Sequence, residues 1–300
     1  QNAFLPESPD QGDIIAADTG AKNRNDVVGS MGLMTARFAG VTPGSPIDNY
    51  TGSLGTMRQT TGRNAPPSVN AVFNLFQFWD GRADTRFNGF NPIGRHDTSA
   101  PKYFVNNKGK AQERVLNMQV ASLASQSTGP PLSDVEMSFA GRTWPEIGKK
   151  LLRAPVGGSP LTPLAYQQVS TSDSVLGTYV NPSGSGLNKS YADLVKAAFK
   201  DNLWNVTSQA LTFPNAKLMR TNKDELIYIQ GPYKITSLPG GSKPLPAGYT
   251  QMEANFSLFW GIAVMLYEAE LVSEQSRFDK WMEGTGTLTT EELDGLNVYV

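Results

Sequence analysis

In the stretch Thr60–Asp84, TTGRNAPPSVNAVFNLFQFWDGRAD, a proline turn is followed by an apolar segment rich in aromatic residues. The turn at Pro66 and Pro67 is rigid, because each proline ring fixes φ and removes a backbone donor. Ser68 is suited to cap a helix. The apolar residues that follow recur at helical spacing: Val69, Val72, Phe73 and Phe76. The pattern therefore predicts a helix with a buried apolar stripe, which Gly81 ends.

The overall composition excludes several classes of protein. Hydrophobic residues make up 39% of the 300 residues, with 29 glycines and 20 prolines, and the net charge is −1. Apolar content below the usual share, with raised Gly and Pro, predicts long ordered loops between modest helices. The net charge gives no attraction to nucleic acid or to an anionic membrane. The longest uncharged apolar-rich run in the C-terminal third, residues 254–267, is shorter than the roughly 20 residues that span a bilayer, so no membrane span is predicted.

The counts of metal-binding and redox-active side chains are equally restrictive. The chain has no cysteine and a single histidine, His96. Disulfides, thiolate catalysis, zinc–thiolate sites and haem attached through thioethers are therefore excluded within these residues. A haem held by two histidines of this chain is excluded as well.

Helix starts are predicted by Ser or Thr followed three residues later by an acidic residue, the pattern of a capping box. The pairs are Ser133/Glu136, Thr143/Glu146, Ser190/Asp193, Thr250/Glu253 and Thr289/Glu292. The longest of these helices is expected over residues 251–273. Further helices are predicted over residues 31–38 and 112–127, and one strand over residues 225–229. Outside these elements, the helix of the stretch Thr60–Asp84 and a short amphipathic turn at Phe278, Trp281 and Met282, the chain is expected to be mostly loop.

Three residues with possible chemical roles each have a purely structural alternative. Trp79 is expected to pack in the core, with Asp80 paired to Arg82 beside it. Glu136 is either the capping-box residue of its helix or a general acid–base group. Gln126 is either an ordinary exposed helix residue or an amide that orients that carboxylate.

Two further residues are candidate metal ligands. His96 lies in Gly-Arg-His-Asp and is expected to be a surface loop residue hydrogen-bonded to Asp97, with metal ligation as the alternative. Asn64 is expected to satisfy a turn, or to offer its amide oxygen to Ca²⁺, which needs several oxygen ligands.

Several motifs, in this order along the chain, resemble the bacterial multi-haem cytochrome c peroxidase family, which includes the MauG-like enzymes. They are Thr61–Pro66, Asn70–Asn74, Phe78–Ala83, Ser122–Gln126, Gly129–Met137, Gln251–Phe259, Phe278–Met282 and Leu288–Leu293. The resemblance covers most of the chain. Phe-Trp-Asp-Gly-Arg together with Val-Glu-Met is its most specific part.

The resemblance implies a role for each matching residue. Trp79 would conduct electrons between two haems, and Glu136 would be the acid–base carboxylate for peroxide cleavage, with Gln126 beside it. Asn64 would bind calcium. The family implies a mainly α, loop-rich helical fold, haem c and possibly Ca²⁺ as cofactors, and reduction of H₂O₂ with electrons from a small donor protein. It also implies a periplasmic or extracellular location.

The chain departs from the family at the haem-attachment motif, Cys-x-x-Cys-His, which is missing. Residues Ser8–Gly12 stand where one copy is expected. We therefore expect residues 1–249 to form a peroxidase-type domain with a degenerate or missing haem motif. Residues 250–300 are expected to form an interdomain helix and the start of a cytochrome c-type domain.

Two functional hypotheses follow from this departure. In the first, the chain is a portion of a haem peroxidase whose haem is carried by another segment or chain. In the second, it is a haem-free structural or binding subunit of a larger secreted redox assembly. Whether the chain is an enzyme is left open, and it is a possible oligomer.

Overall fold

A computed structural model of the chain describes residues 31–34, 37–40, 49–51, 58–60, 65–133, 136–138, 141–152, 164, 169–182, 186–220, 226–239 and 248–299. The helices in this part are α1 (Ser122–Ser127), α2 (Trp144–Leu151), α3 (Tyr191–Ala198), α4 (Gln251–Ala254), α5 (Phe256–Ala269), α6 (Arg277–Met282) and α7 (Thr290–Tyr299). The strands are β1 (Met31–Met34), β2 (Arg37–Gly40), β3 (Asn49–Thr51), β4 (Arg58–Thr60), β5 (Tyr103–Asn107), β6 (Lys110–Arg114), β7 (Gln209–Thr212), β8 (Lys217–Arg220), β9 (Leu226–Ile229) and β10 (Lys234–Ser237). Short 3-10 turns lie at Ala71–Phe73, Gly94–His96, Pro130–Leu132, Gly177–Tyr179 and Asp201–Leu203.

The strands form small antiparallel sheets of two strands each, so the prediction of a mainly α fold is wrong. They pair as β1 with β4, β2 with β3, β5 with β6, β7 with β10 and β8 with β9. The helix predicted over residues 31–38 is replaced by β1 and β2. The stretch after residue 205, predicted as mostly loop, contains four strands, of which β9 confirms the strand expected there.

The hairpin of β5 and β6 replaces the first part of the helix predicted over residues 112–127. Its two turn residues, Lys108 and Gly109, have φ of 52° and 82°. Positive φ at both central residues is the type I′ turn, whose twist matches that of paired strands. Only the last part of the predicted helix forms, as α1.

The capping patterns at Thr143, Ser190, Thr250 and Thr289 predicted their helices correctly, whereas the pattern at Ser133 begins none of the described helices. Reciprocal side-chain and backbone hydrogen bonds start α2, α3 and α4 at Thr143, Ser190 and Thr250, and Thr289 and Glu292 make the same pair before α7. The helix expected over residues 251–273 is divided at Asn255 into α4 and α5. Within the described residues, none of the helices has both the length and the apolar character to cross a bilayer.

The main core lies where α2 crosses α4 and the first half of α5. Trp144 packs against Phe256 and Trp260, with ring centroids 6.4 Å and 6.1 Å apart. Gly148 permits the close crossing, because a Cβ there would lie 2.7 Å from Phe256 Cβ and 2.8 Å from the carbonyl oxygen of Glu253. Two largely buried carboxyl groups, those of Glu146 and Glu253, lie beside this crossing. Burial raises the pKa of the Glu146 and Glu253 carboxyls.

Two buried amides connect this core to distant loops. Gln251 donates to the carbonyl oxygens of Phe104 and Asn202 and accepts from the Val206 amide. Asn255 donates to the carbonyls of Phe104 and Leu203 and accepts from the Phe104 amide. These side chains thus supply hydrogen bonds to the outer edge of β5 at Phe104 and to the irregular backbone of residues 202–206.

Candidate functional site

The stretch after Pro67 is an irregular series of turns without an α-helix, so the predicted helix with a buried stripe is wrong. It contains one 3-10 turn, preceded by Asn70 in the left-handed region with φ 63°. The backbone amide of Asn70 donates to the Leu271 carbonyl, and its side chain accepts from the Ser273 amide. These bonds to the segment after α5 hold Asn70 outside helical geometry, and the apolar side chains around it remain exposed.

Gln77 anchors the end of this stretch to α1. Its side-chain amide is buried and donates to the Ala71 carbonyl at 2.7 Å and to Ser122 Oγ at 3.2 Å. Ser122 Oγ in turn donates to the carbonyl of Asn74 at 2.7 Å. The hydrogen bonds of Gln77 and Ser122 therefore hold the backbone of this exposed apolar stretch against α1.

Residues 78–82 form a tight loop, called the Trp79 loop below. Gln77 and Ala83 close it with two backbone hydrogen bonds of 3.2 Å and 3.4 Å. Asp80 accepts from the Arg82 guanidinium at 3.1 Å and 3.2 Å, which confirms the predicted pair. Arg82 also lies 3.7 Å above the centre of the Phe78 ring, a cation–π contact. These contacts hold the loop in one shape.

Trp79 stands at the tip of this loop with 85% of its surface exposed. The expectation that it packs in the core is wrong. An exposed indole is unusual, because tryptophan is highly buried on average. Its exposure follows from the loop, which is closed beneath it by the bridge between Gln77 and Ala83.

Trp79 belongs to a larger set of exposed apolar side chains, called the Trp79 surface below. Its members are Val69, Phe73, Leu75, Phe76, Trp79, Leu266 and Tyr267. They come from two neighbouring segments, since the turn at Ala71–Phe73 packs beside α5. Phe73 is 70% exposed and Tyr267 67%. Burial raises the pKa of the Glu268 carboxyl, which follows Tyr267 on α5.

Of the two predicted proton-transfer residues, Gln126 lies in the last turn of α1 and Glu136 follows that helix in the chain. Gln126 follows Ser122 by one helical turn, so the two side chains project from the same face of α1. Glu136 is half-buried in a turn in which its backbone amide donates to the Ser133 carbonyl. Among the described residues, no hydrogen bond joins the side chain of Gln126 to that of Glu136. The helix predicted to begin at Ser133 is not among the described elements.

The predicted metal ligands do not form a site in the described part of the chain. His96 is exposed, and its Nε2 lies 3.4 Å from Asp84 Oδ2, so the predicted bond to Asp97 is wrong. Asp97 instead accepts from Asn91 and from the Ser99 amide. Asn64 lies outside the described residues. Within the residues that are described, no three His, Cys, Asp or Glu side chains are arranged to hold a metal ion.

The residues of this chain do not fit a covalently attached haem c. Thioether attachment needs cysteine, and the sequence contains none. The single histidine that could serve as an axial ligand, His96, is mostly exposed beside a carboxylate on the short turn Gly94–His96. No step of a haem reaction is therefore assigned to these residues.

Comparison with known proteins identifies the family that this site resembles. Residues 42–181 match the family described as di-haem cytochrome c peroxidase. The cytochrome c peroxidase Ccp of Escherichia coli strain K12 is 30% identical over 109 residues, which is 36% of this chain and 15% of that protein. The matched segment is thus a small part of that relative. No solved structure matches the chain. These matches confirm the resemblance to the di-haem cytochrome c peroxidase family.

Sequence reasoning singles out Trp79 but misses the surface around it and its anchor. The spacing of Val69, Phe73 and Phe76 is typical of a helix face, which this stretch does not form. The polar residues between them carried the missing signal: Asn70 is one of the few residue types that adopt positive φ readily, and Gln77 is the buried anchor.

Proposed function

We propose that this chain is the part of a cytochrome c peroxidase-like assembly that carries no haem of its own. The Trp79 surface is the face that receives a haem-bearing segment or chain. The observation that carries this proposal is the exposed Trp79, held on a closed loop amid other exposed apolar side chains.

The physical chemistry of the surface supports docking. Large exposed apolar side chains such as those of the Trp79 surface are typical of interaction sites, and tryptophan is enriched among the residues that dominate binding energy. The loop is already fixed by the Asp80–Arg82 pair and the Gln77 network. Little conformational entropy is therefore lost when a partner covers it.

Within this proposal Trp79 has two functions. It is a docking anchor, and its indole conducts electrons to or from the redox centre of the partner. Glu136 and Gln126 are proposed as the proton-transfer pair, which acts once the partner is in place. H₂O₂ is the proposed oxidant, a small redox protein the electron donor, and the periplasm or extracellular space the location. Calcium at Asn64 stays a prediction.

The test uses the complete assembly purified from its native source. Its Soret absorbance, its H₂O₂-dependent oxidation of reduced donor and the affinity of this chain for the haem-bearing part are measured together. Trp79→Ala is expected to weaken association by about 2 kcal/mol or more, as hot-spot truncation does. Trp79→Phe is expected to keep most of the affinity but lower turnover. Val175→Ala, at another exposed apolar residue, is the control.

The results separate the two functional hypotheses. An assembly without a Soret band and without peroxide turnover would overturn the peroxidase proposal and favour a haem-free structural or binding subunit. Trp79→Ala with unchanged affinity and turnover would remove Trp79 from both roles. Glu136→Gln is expected to abolish turnover without changing association, and unchanged turnover would remove Glu136 from the reaction.

A further inference from the structure

A cleft outside the Trp79 surface lies between the loop 84–101 and the segment that follows β6. Its volume is about 240 Å³. Arg86, Phe87, Arg95, Pro101, Val115 and Leu116 line most of it. Phe87, one of the lining residues, is also buried in the core against Ala121, Ala124 and Leu258. The walls are thus mainly apolar, and the charged residues that line the cleft are Arg86, Arg95 and Asp97.

Of the two arginines, Arg95 already has a counter-ion. Its Nε lies 3.3 Å from Asp84 Oδ2, and the Asp84 side chain is buried. The other carboxylate oxygen of Asp84 accepts from the backbone amide of Arg86 at 2.7 Å. Asp84 therefore balances Arg95 and holds the backbone of Arg86, but it does not pair with the Arg86 guanidinium.

The acidic residue that lines the cleft, Asp97, is also engaged elsewhere. Its oxygens accept from Asn91 Nδ2 at 2.6 Å and from the Ser99 amide at 2.8 Å. The Arg86 guanidinium makes no ion pair or hydrogen bond with any residue in the described part of the chain. A half-buried cation against apolar walls loses hydration without gaining a partner, and an anion in the cleft would supply one.

We propose that this cleft binds a small organic carboxylate with a single negative charge and an apolar body. A guanidinium presents parallel N–H donors that match a carboxylate in two-point hydrogen bonding. The walls from Phe87, Val115 and Leu116 suit an apolar body. The volume lies just below the range of roughly 300–1,000 Å³ typical of drug-sized ligands, so the ligand is small.

The loop that carries Arg86 is fixed before any ligand arrives. Gly94 has φ 53°, and a Cβ there would lie 2.0 Å from the carbonyl oxygen of Arg86. Asn88 donates to the Gly94 carbonyl and to Asn91 Oδ1, both at 2.9 Å. The position of the Arg86 backbone is therefore set by internal contacts, which reduces the entropy lost on binding.

The experiment is an NMR titration of the full chain with benzoate, with benzamide and benzylamine as uncharged and cationic probes of similar shape. Benzoate is expected to shift the amide signals of Phe87 and Leu116 and to saturate. Benzamide is expected to bind about tenfold more weakly, because charge-assisted hydrogen bonds are the stronger ones. Equal binding of benzamide, or tighter binding of benzylamine, would overturn the proposal.

Substitutions locate the effect at one side chain. Arg86→Gln is expected to weaken benzoate binding about tenfold, and Arg86→Lys to give an intermediate value, because it keeps the charge but loses the fork. Arg114→Gln is the matched control, since Arg114 is exposed on β6 and its guanidinium donates to Gln112 Oε1 and to the Glu113 carbonyl. Loss of binding in Arg114→Gln, or unchanged binding in Arg86→Gln with a native spectrum, would contradict an Arg86 site.

Discussion

The two halves of α5 have the same kind of apolar sequence but opposite surroundings. In the first half Phe256, Leu258 and Phe259 are buried against α2, α3 and α1. In the second half Leu266 and Tyr267 are exposed and form part of the Trp79 surface. Apolar spacing therefore indicates which face of a helix avoids water. It does not indicate whether the cover is the protein's own core or a partner.

The largest effect expected from this comparison is on folding stability. Phe259 is 2% exposed and stacks on Phe199 with ring centroids 4.7 Å apart. Phe259→Ala is expected to lower the free energy of unfolding by about 3–5 kcal/mol. Leu266→Ala, in the exposed half, is expected to change it by less than about 0.5 kcal/mol. Urea unfolding of both variants is the measurement, and similar losses would show that the second half of α5 is part of the core.

A smaller effect is expected at the anchor of the Trp79 loop. Gln77→Ala leaves buried hydrogen-bonding groups at Ala71 and Ser122 without their partner, which costs about 1–3 kcal/mol. Amide hydrogen exchange should accelerate in residues 78–83 more than in the core helices. The exposed Gln275→Ala is the control. Uniform acceleration throughout the chain would mean that Gln77 supports global stability only and does not position Trp79.

The smallest expected effect is a pH dependence of the unfolding free energy, which arises from buried carboxyl groups beside the first half of α5. Burial raises the pKa of Glu253 above its ordinary value of 4.5, and that of Glu146 likewise. The native state therefore binds protons more readily than the unfolded state. These carboxyls should add stability as the pH falls from the raised pKa towards about 4.5, and remove it as the pH rises.

Glu253→Gln tests this pH dependence because glutamine is neutral at every pH. It is expected to flatten that part of the curve of unfolding free energy against pH. Urea unfolding at a series of pH values provides the measurement. Glu270→Gln, the same change at an exposed position, should leave stability unchanged. A steeper dependence in Glu253→Gln would contradict a raised pKa of Glu253 as the cause.

The elements predictable from the sequence are those whose signal is local. A capping box depends on two residues three positions apart, so the pattern at Thr143, Ser190 and Thr250 predicts the starts of their helices correctly. The turn of the β5–β6 hairpin is equally local, since Lys108 and Gly109 adopt positive φ, but the sequence before Gly109 has the glycines and prolines typical of an irregular segment. Small hairpins of this kind made the mainly α prediction fail.

The candidate site is predictable only in part, because its geometry depends on distant contacts. Trp79, Gln126 and Glu136 are identified through the family resemblance, and their roles stay predictions. The exposure of Trp79 depends on bonds from Asn70 to the segment after α5 and from Gln77 to α1. No local pattern shows that Asp84 and Asp97 are engaged elsewhere, which leaves the Arg86 guanidinium without a partner among the described residues.

The buried amides of Gln251 and Asn255 have a consequence for the order of folding. They bond to residues up to 151 positions away in sequence. Contacts between such distant segments close large loops, and proteins rich in them fold slowly. The side chains at the junction of α4 and α5 can therefore form their hydrogen bonds only after the β5–β6 hairpin and the turn at Asp201–Leu203 have packed against that junction. During synthesis, the backbone groups of Phe104 and residues 202–206 that bond to Gln251 and Asn255 remain hydrated until residues 251–255 have left the ribosome.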